Sequence, residues 1–360
     1  MFGRFKKSKS PDTAAPESNA PLITEQALAA ALERVALPEW GAPIPSSWVH
    51  IEAGNATLTL PFAADERVLE PLRADADLGQ LKWQLKLAIE KLPNSQPDLP
   101  MTFGNVIVIS SGKGGVGKSS VSVQLALALQ QLGANVGILD ADVYGPSLPT
   151  MLGGQEQKLE INAQQKMIPH QRHGIWASSL GYLTDTKDAA IWRGPMASAA
   201  LQQLFRDTKW PRLDYLIVDM PPGTGDIQLT FAQKLPITGA VIVTTPQTVA
   251  LADAEKGITM FRKVGVPITG LLENMSYYQC SQCGHQDAIF GVDGGVRVAE
   301  REQVPLLGQW PLDARIRAGL DEGNPLVATQ PDAPLSKLMK DSAYKLAVEL
   351  YRQASKKRKA

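Results

Sequence analysis

The chain has 360 residues, zero formal net charge, 44% hydrophobic and 20% charged residues. That balance suits a globular protein with a sizeable core, and the length suggests two domains. Neutral charge argues against a general nucleic-acid or anionic-membrane surface, and two cysteines cannot build a disulfide framework, so a reducing cytosol fits.

The first 21 residues hold basic side chains but no apolar core of the kind a secretory signal needs, and read as a solvated leader. Residues 22–36 then carry apolar positions at helical spacing after Thr24, a plausible N-cap. WVHIEA and ATLTLPF read as strands. A second helix is predicted over LGQLKWQLKLAIEKL, with Leu78, Leu81, Leu85 and Ile89 on one stripe. Residues 22–92 are thus expected to form a small α+β domain, and 93–103, rich in proline and polar residues, a linker.

From residue 104 the pattern changes. NVIVISS, NVGILDAD, DYLIVDMPP, GAVIVTTP and ITGLLENMS are short, almost wholly apolar runs with helical stretches between several of them. Such runs are strands buried on both faces of a parallel sheet, so a wound α/β domain is expected over 104–353. The end of the chain reads as a closing helix with a basic tail, 354–360. Its Leu335, Leu338, Leu346 and Leu350 form the single stripe usual for a core-facing helix.

Residues 112–119, GKGGVGKS, fit G-x-x-x-x-G-K-[ST], with an apolar strand before and a helical pattern after. Gly112, Gly114, Gly115 and Gly117 let backbone N–H groups wrap closely round phosphate oxygens. The following helix N-terminus adds positive partial charge, Lys118 can reach the β- and γ-phosphates, and Ser119 can hold Mg²⁺. Asp140, Asp142 and Asp219 follow apolar runs, which puts them at the sheet edge where open α/β proteins bind ligands. Capping of the following turns would explain one such aspartate, though poorly all three.

Cys280 and Cys283 lie in YYQCSQCGHQ. Zinc and most iron–sulfur clusters want four ligands, so the pair is incomplete in one chain. A mixed Cys/His site with His285, a redox pair and two unligated thiols are the other readings. Haem attachment fails because Gly284 separates Cys283 from His285. His170 and His173 share a spacing that could bind metal, but a surface loop accounts for them.

Lys113, directly after the first glycine, makes the loop resemble the deviant Walker A group of MinD/ParA/ArsA-like ATPases, with pattern KGGxGK[ST]. The motifs WRGPMASAALQQ, DMPPGTGDIQLT, TTPQTVALADAEKG and ENMSYYQCSQCGH extend the likeness, and over about residues 100–330 the chain resembles the Mrp/ApbC-type iron–sulfur cluster carriers. The resemblance implies a P-loop fold and a homodimeric ATPase that passes clusters from a donating scaffold to apo iron–sulfur proteins. It implies nucleotide binding by Gly112, Lys113, Gly114, Gly115, Val116, Gly117, Lys118, Ser119 and Ser120, with Asn274 reading adenine. It further implies that Lys113 and Lys118 act on phosphate, Asp142 polarises the attacking water, Asp140 supports the metal region and Asp219 is the Walker B acid beside Mg²⁺. Two copies of Cys280 and Cys283 on a symmetry axis would supply four thiolates for one [4Fe–4S] cluster. A positioning ATPase of the MinD/ParA kind and a zinc-bridged adaptor share most of these residues and stay open. The front domain departs from its family counterpart, with Leu37-Pro38-Glu39 where Asp-Pro-Glu is common and no cysteine, and is expected to be a docking or regulatory module.

Overall fold

The computed structural model describes residues 23–52, 54–96, 103–142, 145–154, 157–182 and 194–359. The expected leader, most of the linker and the Trp192-Arg193 opening of one motif lie outside them.

The front segment comprises α1 (Glu25–Arg34), β1 (Val49–Glu52), β2 (Asn55–Leu60), α2 (Glu70–Ala74) and β3 (Lys82–Leu87). Thr24 caps α1 as expected, its hydroxyl accepting from Ala27 N at 3.3 Å. The predicted helix over residues 78–92 is not there. Leu78–Gln80 make one 3-10 turn, and Lys82–Leu87 pair in parallel with β2, from Asn55↔Lys82 to Leu60↔Leu87. The segment also alternates with period two: Trp83 is buried while Lys82, Gln84 and Lys86 face out. Its residue types favour a helix, but backbone pairing with β2 and burial of Trp83 outweigh that preference. The outward lysines also suit an edge strand.

The second part begins with β4 (Asn105–Ser110), α3 (Lys118–Gln131), β5 (Val136–Asp140) and α4 (Leu148–Met151). There follow β6 (Glu160–Ile161), β7 (Met167–Ile168), β8 (His170–Arg172), β9 (Ile175–Ser179), α5 (Gly194–Asp207), β10 (Tyr215–Asp219) and α6 (Asp226–Lys234). Next come β11 (Gly239–Thr244), α7 (Thr248–Lys263), β12 (Ile268–Glu273), β13 (Tyr278–Gln279), β14 (Gln286–Asp287) and α8 (Gly294–Arg301). The chain closes with β15 (Leu306–Gln309), α9 (Ala314–Asp321), α10 (Leu326–Thr329) and α11 (Pro334–Lys359). All five apolar runs become strands of one eight-stranded sheet, ordered β15-β12-β11-β4-β10-β5-β9-β8. Every pairing in it is parallel except β8 with β9.

Alternation along β4 separates two cores. Ile107 and Ile109 point to the side covered by α3 and α11, with Leu125 and Leu346. Val106 and Val108 point to the side holding Phe205, Phe231 and Phe261 of α5, α6 and α7. The first core runs without a break into the front segment, through Leu32, Phe62 and Leu72. Trp40, Trp48 and Phe62 gather around Tyr351 of α11, with ring centroids 5.7–6.0 Å from it. Tyr344 Oη donates to Pro38 O at 2.8 Å, and Arg352 donates to Trp40 O at 2.6 Å. Of the predicted leucine stripe, Leu346 and Leu350 are buried core residues, whereas Leu335 and Leu338 are half-buried. Among the described residues no helix is long and apolar enough to cross a membrane.

Candidate functional site

The loop between β4 and α3 lies at the C-terminal edge of the sheet, where β4, β10, β5, β11 and β12 all end. Its glycines are required by conformation and by space. Gly115 and Gly117 have φ of 86° and 80°, in the left-handed region. A Cβ on Gly112 would overlap the backbone of Asp253 in α7, and one on Gly117 would overlap the Asn274 amide.

Asp219, at the tip of β10, is fully buried and organises the centre. Lys118 Nζ lies 2.8 Å from its Oδ1, and the hydroxyls of Ser119 and Ser122 each donate to it at 2.6 Å. A buried carboxylate is tolerated when paired and hydrogen-bonded in this way. Ser122 was not among the expected residues. Its position four after Lys118 on the same helix is the signal that could have found it, since i and i+4 share a face.

Asp140, at the tip of β5, is buried and plays a different part. Its carboxylate accepts from Asp142 N at 3.1 Å, Ser147 N at 2.9 Å, Leu148 N at 3.2 Å and Ser179 Oγ at 3.0 Å. These bonds fix both ends of the loop that carries Asp142. Burial first, then the charge of Asp219, push the Asp140 carboxyl up to about 7, against the backbone N–H groups that hold it down. Asp142 is half-buried and Lys113 is exposed. Ser111 Oγ donates to Lys113 O at 2.9 Å, which shapes the start of the loop.

Asn274 follows β12, and its amide donates to Val116 O at 2.9 Å, tying that strand to the phosphate loop. Beside it is a cavity of about 240 Å³ lined by Gly117, Ser120, Asn274, Met275, Trp310 and Leu312, among others. The lining is mostly apolar, as an aromatic base would want. Glu273, also unexpected, is fully buried and accepts from Ser276 Oγ and Gln309 Nε2, each at 2.8 Å, and from Gly295 N at the start of α8.

Cys280 and Cys283 sit in the loop joining β13 and β14. Cys280 N donates to His285 O and Gly284 N to Cys280 O, both at 2.9 Å, and Gly284 takes φ 73° to close the turn. Both thiols are free, and Cys283 is exposed. Backbone N–H groups of Gln282 and Cys283 lower the Cys280 thiol below its ordinary range, which favours the metal-binding thiolate. Among the described residues no group of three or more His, Cys, Asp or Glu side chains could hold a metal ion. Cys280, Cys283 and His285 do not make such a group within the chain. His170 and His173 do not form one either: their ring nitrogens meet Gln157 O at 3.3 Å and Gly323 O at 2.9 Å.

The wound parallel sheet with this loop at its edge defines a P-loop NTPase. Residues 102–347 match the family described as ParA, the NUBPL iron-transfer P-loop NTPases. The chain is 50% identical over 318 residues to the iron–sulfur cluster carrier protein of Haemophilus influenzae, covering 85% of this chain and 86% of that one. It is 51% identical over 314 residues to the protein of the same name from Escherichia coli K12, covering 85% and 84%. A nucleotide-binding protein from Archaeoglobus fulgidus, solved with ADP, superposes with a TM-score of 0.58 at 33% identity, covering 66% of this chain and 93% of that one. The cell-division ATPase MinD of Pyrococcus furiosus shares the fold, with a TM-score of 0.52 at 24% identity over 67% of this chain and 98% of its own. The chain belongs to the iron–sulfur cluster carrier family of ParA-like P-loop NTPases.

Proposed function

We propose that the chain is an ATP-hydrolysing carrier that holds a [4Fe–4S] cluster between two subunits and delivers it to apo iron–sulfur proteins. The observation that carries this reading is the pairing of a complete phosphate site with an incomplete thiolate site. Asp219, Lys118 and Ser119 are assembled within one chain, while Cys280 and Cys283 have no third ligand among the described residues. A two-fold axis beside the hairpin would bring two such pairs together and give the four thiolates a cluster needs. Tyr278 and Leu312, which bridge at the root of the hairpin, are exposed apolar residues suited to such a contact. A cluster donor would load the site and apoproteins would receive from it, in a reducing cytosol where both thiols stay free.

At the phosphate site the backbone N–H groups of residues 114–119 cradle the triphosphate. Lys118 is 2.8 Å from Asp219 and exchanges that partner for phosphate oxygens, so binding changes the ion pair at the core of the site. Ser119 and Asp219 stand where Mg²⁺ would be held, and the ion would neutralise charge on the phosphates. Asp140 contributes by fixing the loop that positions Asp142 for the attacking water. Lys113, exposed on the rim, reaches the partner's nucleotide. Asn274 and the adjoining cavity take the adenine. Gly223-Thr224-Gly225 responds to loss of the γ-phosphate: Gly223 N donates to Ser111 O at 3.0 Å, linking that segment to the phosphate loop.

The test is anaerobic reconstitution with iron and sulfide, followed by absorption, iron content and native mass. We expect a broad band near about 400 nm and about four irons per dimer, as for a thiolate-ligated [4Fe–4S] centre. Both should vanish in the Cys280→Ala, Cys283→Ala variant. Zinc in place of iron would make the protein a zinc-bridged adaptor, and neither metal would leave a positioning ATPase.

A further inference from the structure

β12 and β15 continue their pairing past the sheet. Trp310 N donates to Glu273 O and Ser276 N to Trp310 O, both at 2.8 Å, and Leu312 N donates to Tyr277 O at 2.7 Å. Tyr278 then bridges Leu312 in parallel register. The product is a two-stranded ribbon, residues 273–278 beside 309–312. Its near part walls the cavity next to the phosphate loop, through Asn274, Met275, Trp310 and Leu312. Its far end carries the hairpin of Cys280 and Cys283. Cys280 is six residues beyond Asn274, so at most about 20 Å of chain separates them.

Met275 sits at φ 55° within this ribbon. A methionine adopts that left-handed conformation only where its surroundings hold it. Here the restraint is visible. Ser276 Oγ lies 2.8 Å from Glu273 Oε1 and 3.1 Å from Glu273 O. Glu273 is fixed in turn by Gln309 Nε2 and Gly295 N. The Met275 Cε methyl stands 3.5 Å from the place a Cβ on Gly117 would occupy, so the strained residue faces the phosphate loop.

We infer that a nucleotide base entering the cavity is sensed by Met275 and Leu312 and changes the exposure of the Cys280–Cys283 pair through the ribbon. This rests on the reading of that cavity as the base site. A base filling the cavity meets both side chains; Leu312 N is hydrogen-bonded to Tyr277 O at the root of the hairpin, and Ser276 N, next to Met275, to Trp310 O. The hairpin contributes four exposed strand residues and no buried side chain, so it follows its root as a unit. The base shifts the hairpin between two arrangements by binding one of them better.

The experiment measures iodoacetamide alkylation of each cysteine by peptide mass spectrometry, on the full chain without iron. Rates are compared with no ligand, with MgADP at saturation fixed by titration for each variant, and with inorganic triphosphate. In wild type, MgADP should change the rates at least threefold, and triphosphate, which has no base, should leave them nearly unchanged. In Met275→Gly and in Ser276→Ala the ratio with and without MgADP should fall toward one. Saturating MgADP that leaves the wild-type rates unmoved overturns the inference. So does a full response to triphosphate alone, or a full response retained in both variants. A protein that shows the thiol response but takes up no iron keeps this inference and loses the carrier reading.

Discussion

At the phosphate loop a fully buried carboxylate, Asp219, receives a lysine and two hydroxyls, and a second, Asp140, receives four donors. At the cysteine hairpin the strands are exposed, and the loop is shaped by a few backbone bonds alone. The first site is pre-organised by one chain, so its ligand meets donors that need little rearrangement. The second has its donors prepared but too few of them. Under the proposed function, that difference is what a carrier needs. Nucleotide chemistry benefits from rigidity, whereas a cargo held on an exposed edge can be handed on.

The strongest way to break the contrast is Lys118→Ala. It removes the proposed phosphate contact and strands Asp219 in the core. Breaking a buried pair costs about 3–5 kcal/mol of stability, read by denaturant unfolding. Hydrolysis should fall by about 100-fold or more, as when one transition-state donor is lost. A stability loss below about 1 kcal/mol would show that the buried pair does not hold the centre together.

Gly112→Ala is the next test. Its Cβ would overlap the Asp253 backbone, so α7 or the loop must move. Overpacking of this kind costs about 1–3 kcal/mol, and nucleotide affinity should fall with it. Unchanged affinity would mean that the loop's close approach to α7 does not set its shape.

Asp140 predicts a pH effect of definite sign. Its carboxyl is raised from an ordinary 3.8 to about 7 by burial and by Asp219. Between those values the folded chain binds the proton more strongly than the unfolded chain. The contribution of this group to stability is therefore complete below pH 3.8 and is lost as pH rises toward about 7. Urea unfolding across that range should show a shallower fall with pH in Asp140→Asn than in wild type. Equal slopes would remove Asp140 as the cause.

The smallest effect belongs to the hairpin. Cys280→Ala, Cys283→Ala should change unfolding free energy by no more than about 0.5 kcal/mol, because Cys283 is exposed and Cys280 only half-buried, both away from the core. In wild type, Cys280 should alkylate at a lower pH than an ordinary thiol, since backbone N–H groups favour its thiolate. A larger stability loss would show that the hairpin is packed more firmly than its exposure indicates.

The apolar runs at 105–110, 136–140, 215–219, 239–244 and 268–273 announced a parallel sheet because strands buried on both faces have no polar side to present. The phosphate loop was equally legible. Its chemistry depends on consecutive residues, and Gly115 and Gly117 reveal local backbone need directly. Thr24 was readable for the same reason, since a cap acts within one turn.

What needed the tertiary structure involves partners distant in the chain. Lys82–Leu87 reads as helix from its residue types and becomes a strand only beside β2. Ser122 acquires a role because Asp219, 97 positions away, is folded against it. Asp140 and Asp219 look alike as aspartates ending apolar strands, yet one gathers a loop and the other a lysine. The ribbon joining the cavity beside the phosphate loop to Cys280 pairs Tyr277 with Leu312, which no local pattern foretells. Sequence determines what a residue can do within its own turn or strand, through sterics and hydrogen bonds that fall off within a few residues. Which distant groups it meets is decided by how the sheet orders its strands, and the burial that sets charge, strain and access exists only once they are packed.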